Sequence, residues 1–377
     1  MERKFKKGLK KLAIIGASYL QLPLVIKAKE MGIETHCFAW PEGSVCKEIA
    51  DFFYPISILE KDEILKKCIE IKIDGITTIA TDMAVPTICY VAEKMKLISN
   101  SFISSLVSTN KSEMRIAFKN GNCHGPNCIE TNDCKVNLIE FKFPLIVKPV
   151  DRSGSRGVTK VSFENELQEA INYALSESFL KKAIIEEYIE GEEVSVETIS
   201  WKGEHIILAI TDKITTGPPH FVELAHHQPS ALPKEIQDKI KMETIKCLNA
   251  LDINFGAGHS EFKITSTGEV YVIEVGARMG GDFIGSHLVE LSTGYDFLKG
   301  VITIALGEFE IPILKNNTFS GVYFLCDETK QILPYFSQEN NYDVQKEIQS
   351  TLLKNSTNSN DRSGYLIYQS NKKIQLL

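Results

Sequence analysis

Residues 256–285 read GAGHSEFKITSTGEVYVIEVGARMGGDFIG, two strand-length apolar runs on either side of a polar turn. Thr267-Gly268 suits a two-residue hairpin connection, with Gly second. Closing the chain there predicts Ser266 opposite Glu269, Ile264 opposite Tyr271 and Glu261 opposite Glu274. Like charges directly opposed on a sheet are destabilising, so two carboxylates in that position ask for a cation. Two oxygen ligands from adjacent strands suit Mg²⁺, which keeps several waters and takes further ligands from phosphates. A one-residue slip in the turn would break the pairing. Arg278 lies beyond the strand end, where a guanidinium can take a carboxylate or an acyl phosphate bidentately.

Two segments upstream point to phosphate and nucleotide. PLIVKPVDRSGSRGV, 144–158, places Lys148 on a strand, then a loop with two glycines and two serines, then a second strand. A Walker A loop has its lysine after the glycines and opens a helix, so this is not one. A Gly/Ser loop still offers backbone N–H groups to an anion, and a lysine on a rigid strand adds a point charge. The alternative is an ordinary hairpin loop with a surface lysine. AIIEEYIEGEEVSVE, 183–197, ends an apolar strand in Glu186, Glu187, Tyr188 and Ile189, with Gly191 and Glu193 following. A strand end of this kind can bond an adenine edge through its backbone while a carboxylate accepts from ribose hydroxyls. Here the alternative is a solvated edge strand that carries charge against aggregation.

Before these segments, from Lys11, KLAIIG, a Gly-Ala-Ser turn, a helix to about Met31, ETHCFAW, helices at 45–52 and 60–71, and GITTIA alternate strand with helix. This pattern predicts a parallel sheet covered on both faces over 1–108. Only Gly16 stands for a G-x-G-x-x-G turn, so a dinucleotide site is not indicated. A helix is expected from Lys111, then hairpins alternating with helices at 164–178 and 233–251. The last seventy residues read as a small α+β unit with a polar loop, KNSTNSNDRSG. The basic MERKFKKGLKK followed by uncharged Leu12–Ile26 superficially resembles a secretory leader, but Gly16, Ser18, Gln21 and Pro23 interrupt it and it reads as strand, turn and helix start.

The 377 residues carry Lys+Arg 42 against Asp+Glu 49, a net charge of −7, which argues against a general polyanion-binding surface. With 43% hydrophobic and 24% charged residues the composition is that of an ordinary folded chain of two to four units. No stretch reaches the roughly 18 apolar residues of a membrane span. Nine cysteines, an odd number, fit a reducing cytosol better than a disulfide framework.

In this order the three segments resemble the ATP-grasp superfamily, and the chain is similar to its carboxylate–amine ligases, particularly the L-amino-acid (dipeptide) ligase branch, over nearly its whole length. The resemblance implies an α/β and α+β protein of ATP-grasp fold. Its parts would be a pre-ATP-grasp α/β domain at 1–108, a small lid subdomain at 109–192, a central subdomain with the metal site at 193–307 and a C-terminal α+β subdomain at 308–377. ATP would lie between the two middle parts.

The resemblance also implies residue roles. Lys111 and Lys148 match phosphate-binding lysines, and 151–158, with Ser153, Gly154 and Gly157, matches the glycine-rich lid. Glu186, the backbones of Glu187 and Ile189, and Glu193 match adenine and ribose contacts, with Lys213 a further lysine toward the phosphates. Glu261 and Glu274 match the magnesium carboxylates, Mn²⁺ being an alternative ion, and Arg278 the arginine on the acyl phosphate. FVELAHHQPSALP, 221–233, is similar to the segment that closes over an amino-acid substrate. It brings Glu223 and His226 into the substrate set with Arg278, Gly280 and Gly281. The family often reads E-x-N-x-R; Gly276 stands where the Asn would hold a second ion, which leaves the number of ions open.

The activity so implied is an ATP-dependent, ADP-forming ligase that makes an acyl phosphate and hands it to an amine. Its partners are small carboxylates and amines, with no nucleic acid and no membrane, a homodimer left open and a cytoplasmic location. A purine-biosynthesis-type carboxylase or formate-transfer enzyme, and a nucleotide-binding sensor without turnover, are the alternatives. Cys123, His124, Cys128 and Cys134 crowd together, but their spacing fits no zinc finger and they read as incidental. His227 reads the same way. His259, on the strand face of Glu261, is either packed or catalytic.

Overall fold

The structure is a computed structural model and describes residues 8–315 and 318–377. The basic residues 1–7 of the leader-like stretch lie outside the described residues. The chain first builds a sheet of four parallel strands, β1 (Lys11–Ile15), β2 (Glu34–Phe38), β3 (Phe52–Tyr54) and β4 (Gly75–Thr77), in the order β3-β2-β1-β4. Leu12, Ala13, Ile14 and Ile15 are all fully buried, as a strand covered on both faces requires. The covering helices are α1 (Leu22–Glu30), α2 (Lys61–Ile71) and α3 (Val85–Met95). The helix expected at 45–52 is a single 3₁₀ turn, Val45–Glu48, before β3 takes Phe52.

Two short helices, α4 (Phe102–Thr109) and α5 (Lys111–Asn120), lead onward. Asn110 caps α5, its side-chain oxygen accepting from Ser112 N and Glu113 N at 3.0 and 3.2 Å. The cap fixes Lys111 in the first turn and Arg115 one turn later on the same face. A second four-stranded sheet, order β5-β8-β6-β7, then joins β5 (Cys128–Thr131), β6 (Leu145–Pro149), β7 (Thr159–Val161) and β8 (Ala183–Glu187), with α6 (Leu167–Glu177) packed on it.

The third sheet has eight strands: β9 (Glu192–Trp201), β10 (Glu204–Thr215), β11 (Glu223–Gln228), β12 (Phe255–Ile264), β13 (Val270–Gly276), β14 (Phe319–Leu325), β15 (Asp343–Ile348) and β16 (Gly364–Ser370). α7 (Lys234–Ala250), α8 (Val289–Thr293) and α9 (Phe297–Ala305) connect them. Its order, β13-β12-β9-β10-β11-β14-β16-β15, runs unbroken through the last seventy residues. The strands of the last seventy residues, expected as a small α+β unit, are instead the last three of this sheet, because β14 pairs with β11, Ala225 opposite Tyr323, and Tyr323 and Tyr368 are buried in the core packed there. Among the described residues no helix is long and apolar enough to cross a membrane.

The β12–β13 hairpin corrects the expected turn and keeps its consequence. Ile264 faces Val270 and Lys263 faces Tyr271, one residue out of the expected register, since the loop closes over three residues with Gly268 at φ 77°. A bulge between Glu261 and Phe262 then takes up the extra residue, and Glu261 faces Glu274 after all.

His227 packs at the β11–β14 seam with its Nδ1 bonded to the Tyr368 hydroxyl at 2.9 Å. Burial, helped by Lys373 and His226, lowers its pKa to about 3, so it folds neutral. Its stabilising contribution is therefore complete above pH 6.5 and is lost as pH falls toward 3, because only the unfolded chain binds the proton. Between pH 7 and pH 5, urea unfolding of the wild type should lose roughly 2 kcal/mol relative to His227→Gln. Parallel pH curves for the two proteins would contradict this.

Candidate active site

The second sheet and the large sheet face each other across a cleft of about 200 Å³. Lys111, Lys148, Lys213 and Arg278 bring positive charge to its wall, and Glu186, Glu187, Glu193, Glu223, Glu261 and Glu274 bring negative charge. Ser153 and Gly154 form its rim, and Ile189 lies on its lining. A wider cavity of about 580 Å³ adjoins it, bordered by Tyr19 and Trp40 of the first domain and by His226 and Gly281 of the large sheet. Asp82, Lys213, Glu223, Glu261 and Arg278 are shared by the two spaces.

Two expected residues line neither space. Gly157, at φ 73°, closes the loop against Pro149, where a Cβ would lie 2.7 Å from the ring. Gly280 backs onto Glu197, to which its N–H donates at 3.0 Å, and a Cβ there would lie 2.7 Å from both Glu197 and His259. Both glycines serve close packing rather than ligand contact.

Lys148 on β6 and Glu186 on β8 share one face of the small sheet. The Lys148 ammonium stands 2.8 Å from Glu186, and Arg115 donates to the other oxygen of the same carboxylate at 2.8 Å. Although burial favours the neutral acid, Arg115 and Lys148 together hold Glu186 at a pKa of about 2. Its carboxylate is thus occupied by cations, and the side chain expected at the adenine instead anchors Lys148. Glu187 accepts from the N–H and the amide of Asn127, both at 3.1 Å. Arg115 also donates to the Ile273 carbonyl on β13 at 2.7 Å, so one guanidinium ties both sheets.

On the large sheet Lys213 reaches Glu193 at 2.7 Å, Glu261 at 2.8 Å and Glu223 at 3.7 Å. Despite full burial, these carboxylates raise its pKa well above the ordinary lysine value. Lys111 takes Glu274 at 3.0 Å and the Arg152 carbonyl at 2.6 Å. His259 lies between Glu197, which its Nδ1 meets in a short contact, and Glu261 at 3.3 Å. Burial opposes its charged form, but Glu197 and Glu261 outweigh this and raise its pKa to about 9. It is packed into the acidic cluster.

Lys263, 3.1 Å from Glu193, and His259 beside Glu261 share in balancing the carboxylates around Lys213, and the Glu261–Glu274 pair brings carboxylate oxygens from adjacent strands to the cleft. That oxygen donor set fits a hard divalent cation such as Mg²⁺. His226 is 1% exposed with neither ring nitrogen hydrogen-bonded, Asp282 being 3.8 Å away. Asp282 is held by both terminal nitrogens of Arg362, each at 2.7 Å, from the polar C-terminal loop.

Sequence reasoning missed Asp82, Arg115, Glu197 and the Asp282–Arg362 pair. Asp82 follows β4 of the first domain and bonds Arg278 at 2.8 Å across 196 positions. It explains Gly276: a Cβ there would lie 2.7 Å from the Asp82 carboxylate and 3.1 Å from the Arg278 guanidinium. Asp82 fills the space that an Asn side chain at 276 would need. The crowded cysteines separate: Cys134 turns to Asn172 at 3.3 Å, Cys128 lies on β5, and Cys123 faces α7.

Residues 141–286 match the family model described as ATP-grasp domain. Over that stretch the chain is similar to an ATP-grasp domain. It is 26% identical over 303 residues to the alanine–anticapsin ligase of Bacillus subtilis, a match covering 70% of this chain and 64% of that protein, so it spans a little under two thirds of that relative's length. Its structure is similar to that of an L-amino acid ligase from Bacillus licheniformis, with TM-score 0.81, 23% identity and coverage of 96% of this chain and 94% of the other. It is also similar to a phosphoribosylglycinamide synthetase from Anaerococcus prevotii, with TM-score 0.77, 24% identity and the same coverages. The fold is therefore ATP-grasp, and the chain resembles ATP-grasp carboxylate–amine ligases, the amino-acid ligase branch included.

Gly276→Ala should destabilise this ATP-grasp protein by about 1–3 kcal/mol through overpacking. In an Asp82→Ala background the same change should cost at least about 1 kcal/mol less, the coupling expected of touching groups. Urea unfolding of the four proteins in that cycle checks it; additive effects would remove the proposed contact.

Proposed function

We propose that the protein is an ATP-dependent, ADP-forming ligase that activates an amino acid or other small carboxylate as an acyl phosphate and joins it to an amine. The observation that carries this is the convergence of Lys111, Lys148, Lys213 and Arg278 with the opposed Glu261 and Glu274 in one cleft that opens into a second cavity. On this reading ATP occupies the smaller space and the carboxylate and amine the larger. The domain limits are then 1–108, 109–192, 193–307 and 308–377, the last continuing the sheet of the third. Nine free cysteines accord with a reducing, cytoplasmic setting.

Glu261 and Glu274 would hold Mg²⁺, or Mn²⁺, whose chemistry is to neutralise phosphate charge. Phosphoryl transfer asks chiefly for positioning and charge stabilisation, which Lys148 and Lys111 supply from rigid elements. The substrate carboxylate attacks the terminal phosphorus, the bond to ADP breaks, and Arg278 offsets charge on the acyl phosphate. The amine then attacks the carbonyl and phosphate leaves. Glu223 lines both spaces, and burial raises its carboxyl above the ordinary value against the opposing charge of Lys213, so it is the residue placed to accept the proton the amine loses. The turn at 151–158 excludes water from the intermediate.

Lys148→Ala should lower amino-acid-dependent ADP release by roughly 10²–10³-fold, the usual cost of removing one preorganised charge donor. A matrix of amino acids and small carboxylates, read by phosphate release and product mass, tests the reading. Tight nucleotide binding with no ADP release under any pairing would favour the sensor alternative. Carboxylation or formyl transfer would favour the purine-type one.

The loop has its own test. Gly154 sits at φ 68° and a Cβ there would meet nothing within 4 Å, whereas Gly157 is pressed on Pro149, so Gly154→Ala perturbs the loop alone. The variant should raise phosphate released per product formed. An equal fall in ATP use and product would show that the loop binds phosphate without shielding it.

A further inference from the structure

The cleft uses none of the nine cysteines, yet two of them meet an acid at the back of the large sheet. Glu243 and Cys247 lie four residues apart on one face of α7, and Cys123 approaches them from the loop after α5. One ligand atom from each, the two sulfurs and a carboxylate oxygen, lie within 4.8 Å of one another. The approach depends on Gly121, where a Cβ would lie 2.6 Å from the Ala250 side chain. Cys247 is fully buried and Cys123 half-buried, so the cluster is closed on the helix side and open on the loop side.

We propose that Cys123, Glu243 and Cys247 form a binding site for one zinc-class divalent cation, separate from the nucleotide cleft. Two thiolates with one carboxylate select a borderline or soft ion over Mg²⁺, and three protein ligands leave a fourth position for water on the open side. Two thiolates and a carboxylate exceed the ion's charge by one, and the Lys246 ammonium, 2.9 Å from Glu243, offsets that excess. The other Glu243 oxygen is oriented by the His124 N–H at 2.5 Å, the kind of outer bond that fixes a metal ligand. None of the three residues borders either cavity.

The site has a structural consequence for the cleft. His124, next to Cys123, accepts from Val272 N at 2.8 Å through its carbonyl and meets the Val270 carbonyl with its ring at 3.0 Å. An ion held by Cys123 therefore ties α7 to the strand that carries Glu274.

Cobalt(II) is the probe, added to the reduced full chain under anaerobic conditions with Mg²⁺ in excess. One Co²⁺ per chain should bind, with the near-ultraviolet charge-transfer absorption of two thiolates, and Zn²⁺ should displace it and raise Tm. Loss of an outer-shell partner alone weakens metal sites roughly 10–100-fold, so Cys123→Ser should weaken Co²⁺ binding at least tenfold and halve the absorption per bound ion. Cys123 is partly exposed, so this variant should fold, and retained ATP binding verifies that. Cys128→Ser with Cys134→Ser should leave binding unchanged. The proposal is overturned if the reduced wild type shows no thiolate absorption, if Cys123→Ser binds as tightly as the wild type, or if excess Mg²⁺ abolishes binding and so places the ion on the cleft carboxylates.

Discussion

A buried charge must be paired, and in this protein that constraint is met across element boundaries at every turn. Lys213 stands on β10 but is neutralised from β9, β11 and β12; Lys148 stands on β6 but is neutralised from β8, with Arg115 of α5 completing the set. Removing one partner from such a group costs about 3–5 kcal/mol, because the charge left behind has no water to turn to. The strands that carry these residues therefore cannot shift register without exposing or orphaning a charge. The cleft is specified as much by this mutual neutralisation as by the apolar cores behind it.

The same pairing suits a site that handles a polyanion. Each lysine in the cleft is already balanced by a carboxylate, so the cleft carries no large unpaired field. On the proposed reading, a nucleotide bringing phosphates with a divalent cation would exchange one set of partners for another, Lys111 and Lys213 turning from Glu274 and Glu261 to phosphate while the ion takes those carboxylates. The cation would offset part of the phosphate charge, so the exchange is most favourable when nucleotide and cation arrive together.

How much of this could be read from the chain divides by sequence distance. The small parallel sheet, the loop after Lys148 and the facing of Glu261 with Glu274 follow from local pattern. The last was reached through two offsetting departures: the hairpin loop is one residue longer than expected, and a bulge beside Glu261 restores the register. Nothing in the sequence announces that bulge. Arg115 carried a local signal that was passed over, since it falls four residues after Lys111 on one helix face. Asp82, Glu197 and Cys247 carried none, because their partners lie 196, 62 and 124 positions away and only the folded sheets bring them together.

Gly276 shows what such distant contacts do to a familiar pattern. Read against the family pattern, a glycine at that position is a missing ligand that leaves the number of ions open. In the folded chain the space is filled by Asp82, which arrives from the first domain and grips Arg278. The neighbouring backbone follows the same path, with Ala80 N donating to the Met279 carbonyl at 3.1 Å. The segment after β4 is thus docked on the loop that presents the arginine. A side chain at 276 and a carboxylate at 82 compete for one volume, so the two positions can vary only together. The orientation of Arg278 then depends on how the segment after β4 sits against the large sheet, which links the wall of the wider cavity to the residue that the proposed reaction would set at the acyl phosphate.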